Sequence, residues 1–217
     1  MARTAICFDL DGTLLDTLDD LADSMNAVLA ALGCPAHPLD AYRYFVGDGV
    51  ENLVRRALPE AARGNEALVR EAVPLMRGEY GKRWKAKTRL YDGIPELLDA
   101  LVAGGVRMAI LSNKPHPAVL DVAGHFLQRW RFDAVLGARL ETPIKPDPGA
   151  ALEVARQLGV APSGFLYIGD TDTDMVTALR AGMYAVGALW GFRTEAELRA
   201  SGAMALASHP REVMELL

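Results

Sequence analysis

From Leu90 onward, short apolar runs alternate with stretches whose apolar residues recur at helical spacing, and no other feature limits the possible folds so tightly. The pattern predicts strands at 106–111, 132–136, 165–168 and 184–188. Between them it predicts helices at 94–102, 119–126 and 148–158, and another ending at Ala181. Gly104-Gly105, Gly159 and Gly182 stop three of these helices. The tail, with Met204–Leu206 and a last helix after Pro210, finishes the fold. Strands that alternate with helices assemble into a parallel sheet covered on both faces, so an α/β fold is expected.

One more strand stands far upstream. Ala5-Ile6-Cys7-Phe8 is a short apolar run that stops at Asp9-Leu10-Asp11-Gly12-Thr13. Residues two apart in an extended chain point the same way, so Asp9 and Asp11 aim both carboxylates at one place. Gly12 lets the backbone turn there and approach a ligand closely. Neighbouring carboxylates repel unless a cation or a shared proton relieves them. Mg²⁺ suits such a place, because it takes oxygen ligands and often binds one or two carboxylates together with phosphate oxygens. An aspartate at a strand's mouth is also a possible nucleophile, through an aspartyl-phosphate. Taken alone, the stretch reads equally well as a strand–turn with solvated acids.

Residues 16–85 contain no convincing strand. Thr17 reads as an N-cap, with Asp20 in the capping-box position, and Leu18, Leu21, Ala22, Met25, Val28, Leu29 and Leu32 follow at helical spacing up to Gly33. Further helices are expected at 39–45, 50–58 and 66–80. The division is therefore a core of 1–15 and 86–217, interrupted by a helical unit of 16–85. Within that unit Gly47, Asp48 and Gly49 precede a helix, whose exposed amides would suit an anion; the same loop also reads as a plain helix–helix turn. The basic run from Lys82 to Arg89 reads as a solvated face, an attractor of anions or the return hinge.

In an open parallel sheet, ligands bind beyond the carboxyl ends of the strands. Asp9/Asp11, Ser112/Asn113 and Asp170/Asp174 all follow predicted strands. Asp170 is placed to complete an oxygen site for Mg²⁺ with Asp9 and the Asp11 carbonyl. Ser112 and the amides after it suit phosphate oxygens. Lys145, between Pro143 and Pro146 in a stiffened loop, would offset the charge of a nucleophilic carboxylate and a phosphoryl group.

Composition narrows the partners. With 51% hydrophobic and 24% charged residues, the 217-residue chain is an ordinary globular sequence. Its net charge of −5 gives no reason to expect nucleic-acid binding. No apolar run approaches the about 18 residues of a membrane span, and the run after Met1-Ala2-Arg3-Thr4 is too short for a signal-peptide core. Cys7 and Cys34 lack metal-site spacing and read as free thiols in a reducing compartment, which points to the cytoplasm. The expected partner is a small phosphorylated metabolite, with the protein a monomer or homodimer.

The ordered set Asp9-x-Asp11-Gly12-Thr13, Ser112-Asn113-Lys114, Lys145-Pro146 and Gly169-Asp170-Thr-x-x-Asp174 resembles the four motifs of the haloacid dehalogenase-like hydrolases over nearly the whole chain. The resemblance implies a Rossmann-like core with a helical cap inserted after the first strand. It implies Asp9 as nucleophile and Asp11 as general acid–base. Ser112 and Lys145 become phosphate binders, joined by Gly12, Thr13, Asn113 and the cap residues Gly47, Asp48 and Gly49. Asp9, Asp11 through its carbonyl, and Asp170 become Mg²⁺ ligands, with Asp174 supporting the metal site.

Within that superfamily, Asp11 argues against the dehalogenases and against the phosphonate hydrolases, which lack an acid at its position. The cap pattern typical of β-phosphoglucomutase-type enzymes is not seen. The chain most resembles the phosphoglycolate phosphatases, through Val46-Gly-Asp-Gly-Val50, Leu53-Val-Arg-Arg-Ala-Leu58, Asn113-Lys-Pro115 and Trp190-Gly-Phe-Arg193. Arg43, Arg55 and Arg56 are candidates to meet a substrate carboxylate, but each reads first as a surface residue. A pyrophosphatase, a broad sugar-phosphate phosphatase or a phosphomutase would use the same motifs. A non-catalytic protein that only binds phosphorylated ligands should have lost Asp9 or Asp11, and both are present.

Overall fold

A computed structural model of the chain describes residues 3–140 and 142–217. Met1 and Ala2, part of the stretch weighed above as a leader, lie outside the described residues. The chain divides into two units, one running up to Asp16 and resuming with Leu90–Leu217, the other formed by Thr17–Arg89.

The first unit is built on a six-stranded parallel sheet, the α/β arrangement expected from the alternation. Its strands are β1 (Ala5–Phe8), β4 (Arg107–Pro115), β5 (Ala134–Ala138), β6 (Phe165–Gly169), β7 (Tyr184–Ala188) and β8 (Ala205–Ala207). They lie in the order β5-β4-β1-β6-β7-β8. The short strands β2 (Leu15–Asp16) and β3 (Arg89–Leu90) mark where the chain leaves the core and returns. Tyr91 N donates to Leu14 O at 3.3 Å, so within the core unit the two passages are neighbours.

β1 is central because all four of its residues are apolar and completely buried. Ala5 and Cys7 join a cluster with Ala109, Leu111, Phe165, Tyr167 and Met175. Ile6 and Phe8 point the other way, as alternation demands, and are equally buried. Full burial of a side chain such as Phe8 contributes about 1.5–3 kcal/mol. Helices α5 (Ile94–Ala103), α6 (His116–Phe126), α7 (Gly149–Leu158), α8 (Asp172–Ala181) and α9 (Glu195–Ala200) follow the strands. The segment Pro210–Leu216, read from sequence as a helix, is a 3₁₀ helix.

Two local expectations are corrected. β4 does not stop at residue 111; it continues to Pro115 and pairs again at Ala138 after a register shift between Leu111 and Pro115. Residues 112–114 thus occupy an irregularity of the kind that re-aims side chains beside active sites. The capping box at Thr17 does not form either. The Asp20 carboxylate instead accepts from Lys87 N at 3.0 Å, Thr88 N at 2.9 Å and Thr88 Oγ1 at 2.8 Å. A buried carboxylate is better satisfied by three donors than by one helix terminus.

The second unit is helical: α1 (Leu18–Ala31), α2 (Leu39–Phe45), α3 (Gly49–Ala57) and α4 (Glu66–Arg83). Met25, Val28 and Leu29 of α1 are buried, as are Leu53 and Val54 of α3 and Val69, Ala72 and Met76 of α4, and α1 packs on α4. Asn26 ties the connector to this bundle, exchanging hydrogen bonds with the His37 backbone at 2.9 and 3.0 Å and accepting from Tyr42 Oη at 2.7 Å. Cys7 and Cys34 are free thiols. No helix among the described residues is long and apolar enough to cross a membrane.

Candidate active site

The polar groups that follow β1 and β6 and those in the irregular end of β4 meet in the core unit. Asp9 leaves β1 with its amide donating to Ile168 O of β6 at 2.9 Å, which fixes its direction. Gly12 turns the chain at φ +90°, and a side chain there would strike the Asp170 carboxylate. Thr13 Oγ1 donates to Asp170 Oδ1 at 2.8 Å, and the amide of Phe192 donates to Oδ2 at 2.9 Å. Trp190 Nε1 donates to Thr13 O at 2.9 Å. A Cβ on Gly191 would overlap Asp170 and the Gly12 carbonyl, so only glycine allows this approach. The segment Trp190-Gly191-Phe192 thus clamps both Asp170 and the turn after β1.

Lys145 is the hub of the charges. Its Nζ lies 2.7 Å from Asp174 Oδ1, 2.9 Å from Asp9 Oδ1 and 3.1 Å from Leu111 O, with the side chain only 2% exposed. Burial by itself would lower its pKa; the charges of Asp174 and Asp9 overcome this and hold it well above the usual lysine value. Asn113 secures its backbone, accepting from Lys145 N at 2.9 Å and donating to Lys145 O at 3.0 Å. The Asn113 amide, read from sequence as a phosphate ligand, is engaged in positioning Lys145. Asp174 opens α8 in a capping box with Thr171, whose hydroxyl donates to Oδ2 at 2.6 Å. Its carboxylate is therefore engaged by Thr171 and Lys145.

The oxygens of Asp9, Asp170 and Asp174 lie within 4.8 Å of one another, all buried. Asp9 is pushed up to about 7 by burial and by Asp174, with Lys145 opposing. Asp170 is pushed well above the usual carboxylate range by burial, then by Asp174 and Asp9. Asp9 Oδ1 meets only the Lys145 ammonium, as an ion pair, and no other donor. An all-oxygen cluster of three buried carboxylates around one lysine fits a small divalent cation such as Mg²⁺.

Asp11 is turned elsewhere. Both its oxygens accept from Lys114 Nζ, at 2.6 and 2.8 Å. Ser112 Oγ, 4% exposed as a residue, accepts from Lys114 N at 3.2 Å. Sequence reasoning did not assign a role to Lys114 or to the Trp190-Gly191-Phe192 clamp. The available signal was position: both follow strands read from sequence, at 106–111 and 184–188, near where the other polar groups converge.

Gly47, Asp48 and Gly49 belong to the helical unit. Asp48 is ion-paired with Arg56, and its carbonyl accepts from Asn52 Nδ2 at 3.0 Å. Arg55 pairs with Glu51 and Glu66, and Arg43 lies 3.5 Å from Asp40. His116, bordering the Ser112–Pro115 stretch, accepts from Gly137 N through Nδ1 at 3.1 Å.

Comparison with known proteins agrees with this geometry. The chain is 37% identical over 195 residues to a phosphoglycolate phosphatase of Pseudomonas putida, covering 86% of this chain and 70% of the relative. It is 36% identical over 192 residues to a phosphoglycolate phosphatase of Nitrosospira multiformis, covering 87% and 84%. A solved haloacid dehalogenase-like family hydrolase from Streptococcus pneumoniae superimposes with a TM-score of 0.87 at 26% identity, over 99% of this chain and 98% of that one. The family model described as haloacid dehalogenase-like hydrolase matches residues 6–188. With its Asp9 and Asp11 after β1, Lys145 among buried carboxylates and Asp170 after β6, the chain belongs to the haloacid dehalogenase-like hydrolases.

Proposed function

We propose that the protein is a Mg²⁺-dependent phosphoglycolate phosphatase that works through a phosphorylated Asp9. The observation that carries the reading is Asp9 itself: a buried carboxylate at the mouth of the central strand, with one oxygen that meets only the Lys145 ammonium. The substrate is taken from the relatives that share 33–37% identity and are named phosphoglycolate phosphatases.

An Asp9 oxygen attacks the phosphorus in line as the ester oxygen leaves, and Asp11 gives that oxygen a proton. Asp11, then ionised, takes a proton from the water that attacks the phosphorus of the aspartyl-phosphate and frees Asp9. Lys145 offsets charge on the phosphoryl oxygens, and Ser112 donates to one of them. Asp174 holds Lys145, while Thr13, Gly191 and Phe192 hold Asp170. Asp9, Asp170 and the Asp11 carbonyl would hold Mg²⁺, which supplies fixed positive charge for the transferring group. The free thiols support a reducing, cytoplasmic setting.

The test is phosphate release with and without Mg²⁺ from 2-phosphoglycolate, pyrophosphate, sugar phosphates and nucleotides. A preference of about a hundredfold in kcat/KM for 2-phosphoglycolate, roughly 2.7 kcal/mol, is expected. Asp9→Asn should lower kcat at least about a thousandfold. A flat profile abolished by Asp9→Asn keeps the mechanism and removes the substrate. Full activity of Asp9→Asn removes the mechanism.

A further inference from the structure

Lys114 takes no part in the scheme above, yet Lys114 and Lys145 are the two buried lysines among the described residues. Its side chain is 6% exposed, and its ammonium contacts both oxygens of Asp11. It sits in the irregular stretch of β4 that also carries Ser112. The cation is therefore held against the group assigned to the leaving oxygen, beside the residue assigned to the phosphate.

We propose that Lys114 is the specificity-determining residue of this site, binding a carboxylate that the substrate carries next to its scissile ester carbon. The proposal rests on the reading of Asp11 as the acid for the leaving oxygen. To donate, Asp11 must come within about 2.8 Å of the ester oxygen. In a glycolate leaving group, one O–C–C–O span separates that oxygen from the nearer carboxylate oxygen, about 3 Å with standard bond lengths. With the glycolate turned so that its carboxylate faces Lys114, the ammonium, 2.6–2.8 Å from Asp11, comes within hydrogen-bond distance of that carboxylate. Asp11 oxygen, ester oxygen, carboxylate oxygen and Nζ close a ring with sides of about 3 Å.

A substrate whose second anion lies several bonds farther away does not close this ring. A neutral group in the same place gives the ammonium no charge to meet. The ligand class is thus the short 2-phosphoxy carboxylates. Arg43, Arg55 and Arg56, the arginines considered for this task from sequence, are matched by acids of their own unit.

The experiment compares kcat/KM for 2-phosphoglycolate and for 2-hydroxyethyl phosphate, which has the same length and no carboxylate. Full-length wild type, Lys114→Met, Lys114→Gln and Lys114→Arg are assayed with Mg²⁺. Circular-dichroism melts and inhibition by inorganic phosphate check the fold and the phosphate site. The wild type should prefer the carboxylated ester at least tenfold. Lys114→Met and Lys114→Gln should lose about tenfold to a hundredfold of that preference, the range of a charged hydrogen bond, and Lys114→Arg should fall between. A preference that survives in Met and Gln overturns the inference and leaves the phosphatase standing. Equal losses on both esters overturn it too, reducing Lys114 to a support for Asp11. A wild type without preference removes both the inference and the substrate, and release independent of Asp9 removes the mechanism.

Discussion

Lys145 and Arg55 are each held by two carboxylates, and the consequences differ because of where they lie. Lys145, 2% exposed, is shared by Asp9 and Asp174 among buried strands. Arg55, 27% exposed, spans Glu51 and Glu66, which are 66% and 60% exposed, on the helical unit. In water an ion pair exchanges one set of favourable contacts for another and is worth little. In the interior the charges lose their solvent, so removing one partner leaves the others uncompensated. Lys145 thus holds its charge in the interior beside Asp9. Arg55 holds its charge at the surface of the helical unit.

The largest expected effect tests that contrast directly. Lys145→Met should cost about 3–5 kcal/mol of stability, as expected for breaking a buried pair, and should lower kcat at least about a thousandfold. Urea unfolding and phosphate release measure the two effects. A loss in one without the other would show that Lys145 serves only structure or only chemistry.

Gly191→Ala comes next. The added methyl overlaps Asp170 and the Gly12 carbonyl, so a cost of about 1–3 kcal/mol is expected from overpacking. Mg²⁺ affinity by calorimetry should fall with it. Unchanged affinity would remove the clamp from the account of the site.

A smaller effect should appear in the pH dependence of metal stabilisation. The folded Asp9 carboxyl is raised to about 7 from an ordinary value of 3.8. Folding without metal therefore takes up a proton, and the associated stability is full below about pH 4 and is lost as pH rises through 7. A cation that binds the ionised cluster gains what the proton loses. The melting-temperature increase from added Mg²⁺ should accordingly be several degrees larger at pH 8 than at pH 6. An increase that shrinks with pH would place the metal elsewhere.

The smallest effect belongs to the helical unit. Arg55→Ala should shift the melting temperature by about 1–2 °C and leave kcat/KM for 2-phosphoglycolate unaltered. A larger kinetic effect would mean that this surface pair does more than hold α3 to α4.

Much of the core was legible because its signals are local. Ala5–Phe8 ends in two acids, and Tyr184–Ala188 is bracketed by Gly182 and an apolar turn, so each strand could be read from its neighbours in sequence. What escaped depends on partners far along the chain. Asp20 was assigned to its own helix terminus, while its donors lie at Lys87 and Thr88. Lys114 looked like part of a motif, but its meaning depends on Asp11, 103 residues away. β4 was ended early at residue 111 because polar residues usually end a buried strand; here the register shift carries them through to Pro115. The helix α9 was missed because six residues show too little periodicity to read.

Asp20 has a consequence for how such a chain can vary. Its carboxylate holds Lys87 and Thr88 against the first turn of α1, so the helical unit begins and ends at one fastened point. The core fastens its own two passages where Tyr91 N meets Leu14 O. A segment stapled at its base is an enclosed loop, and lengthening an enclosed loop costs only a slowly growing entropy. Helices between residues 21 and 86 can therefore be added, removed or exchanged while the strands carrying Asp9, Ser112 and Asp170 keep their register. The fold separates what must stay constant for phosphoryl chemistry from what is at liberty to change.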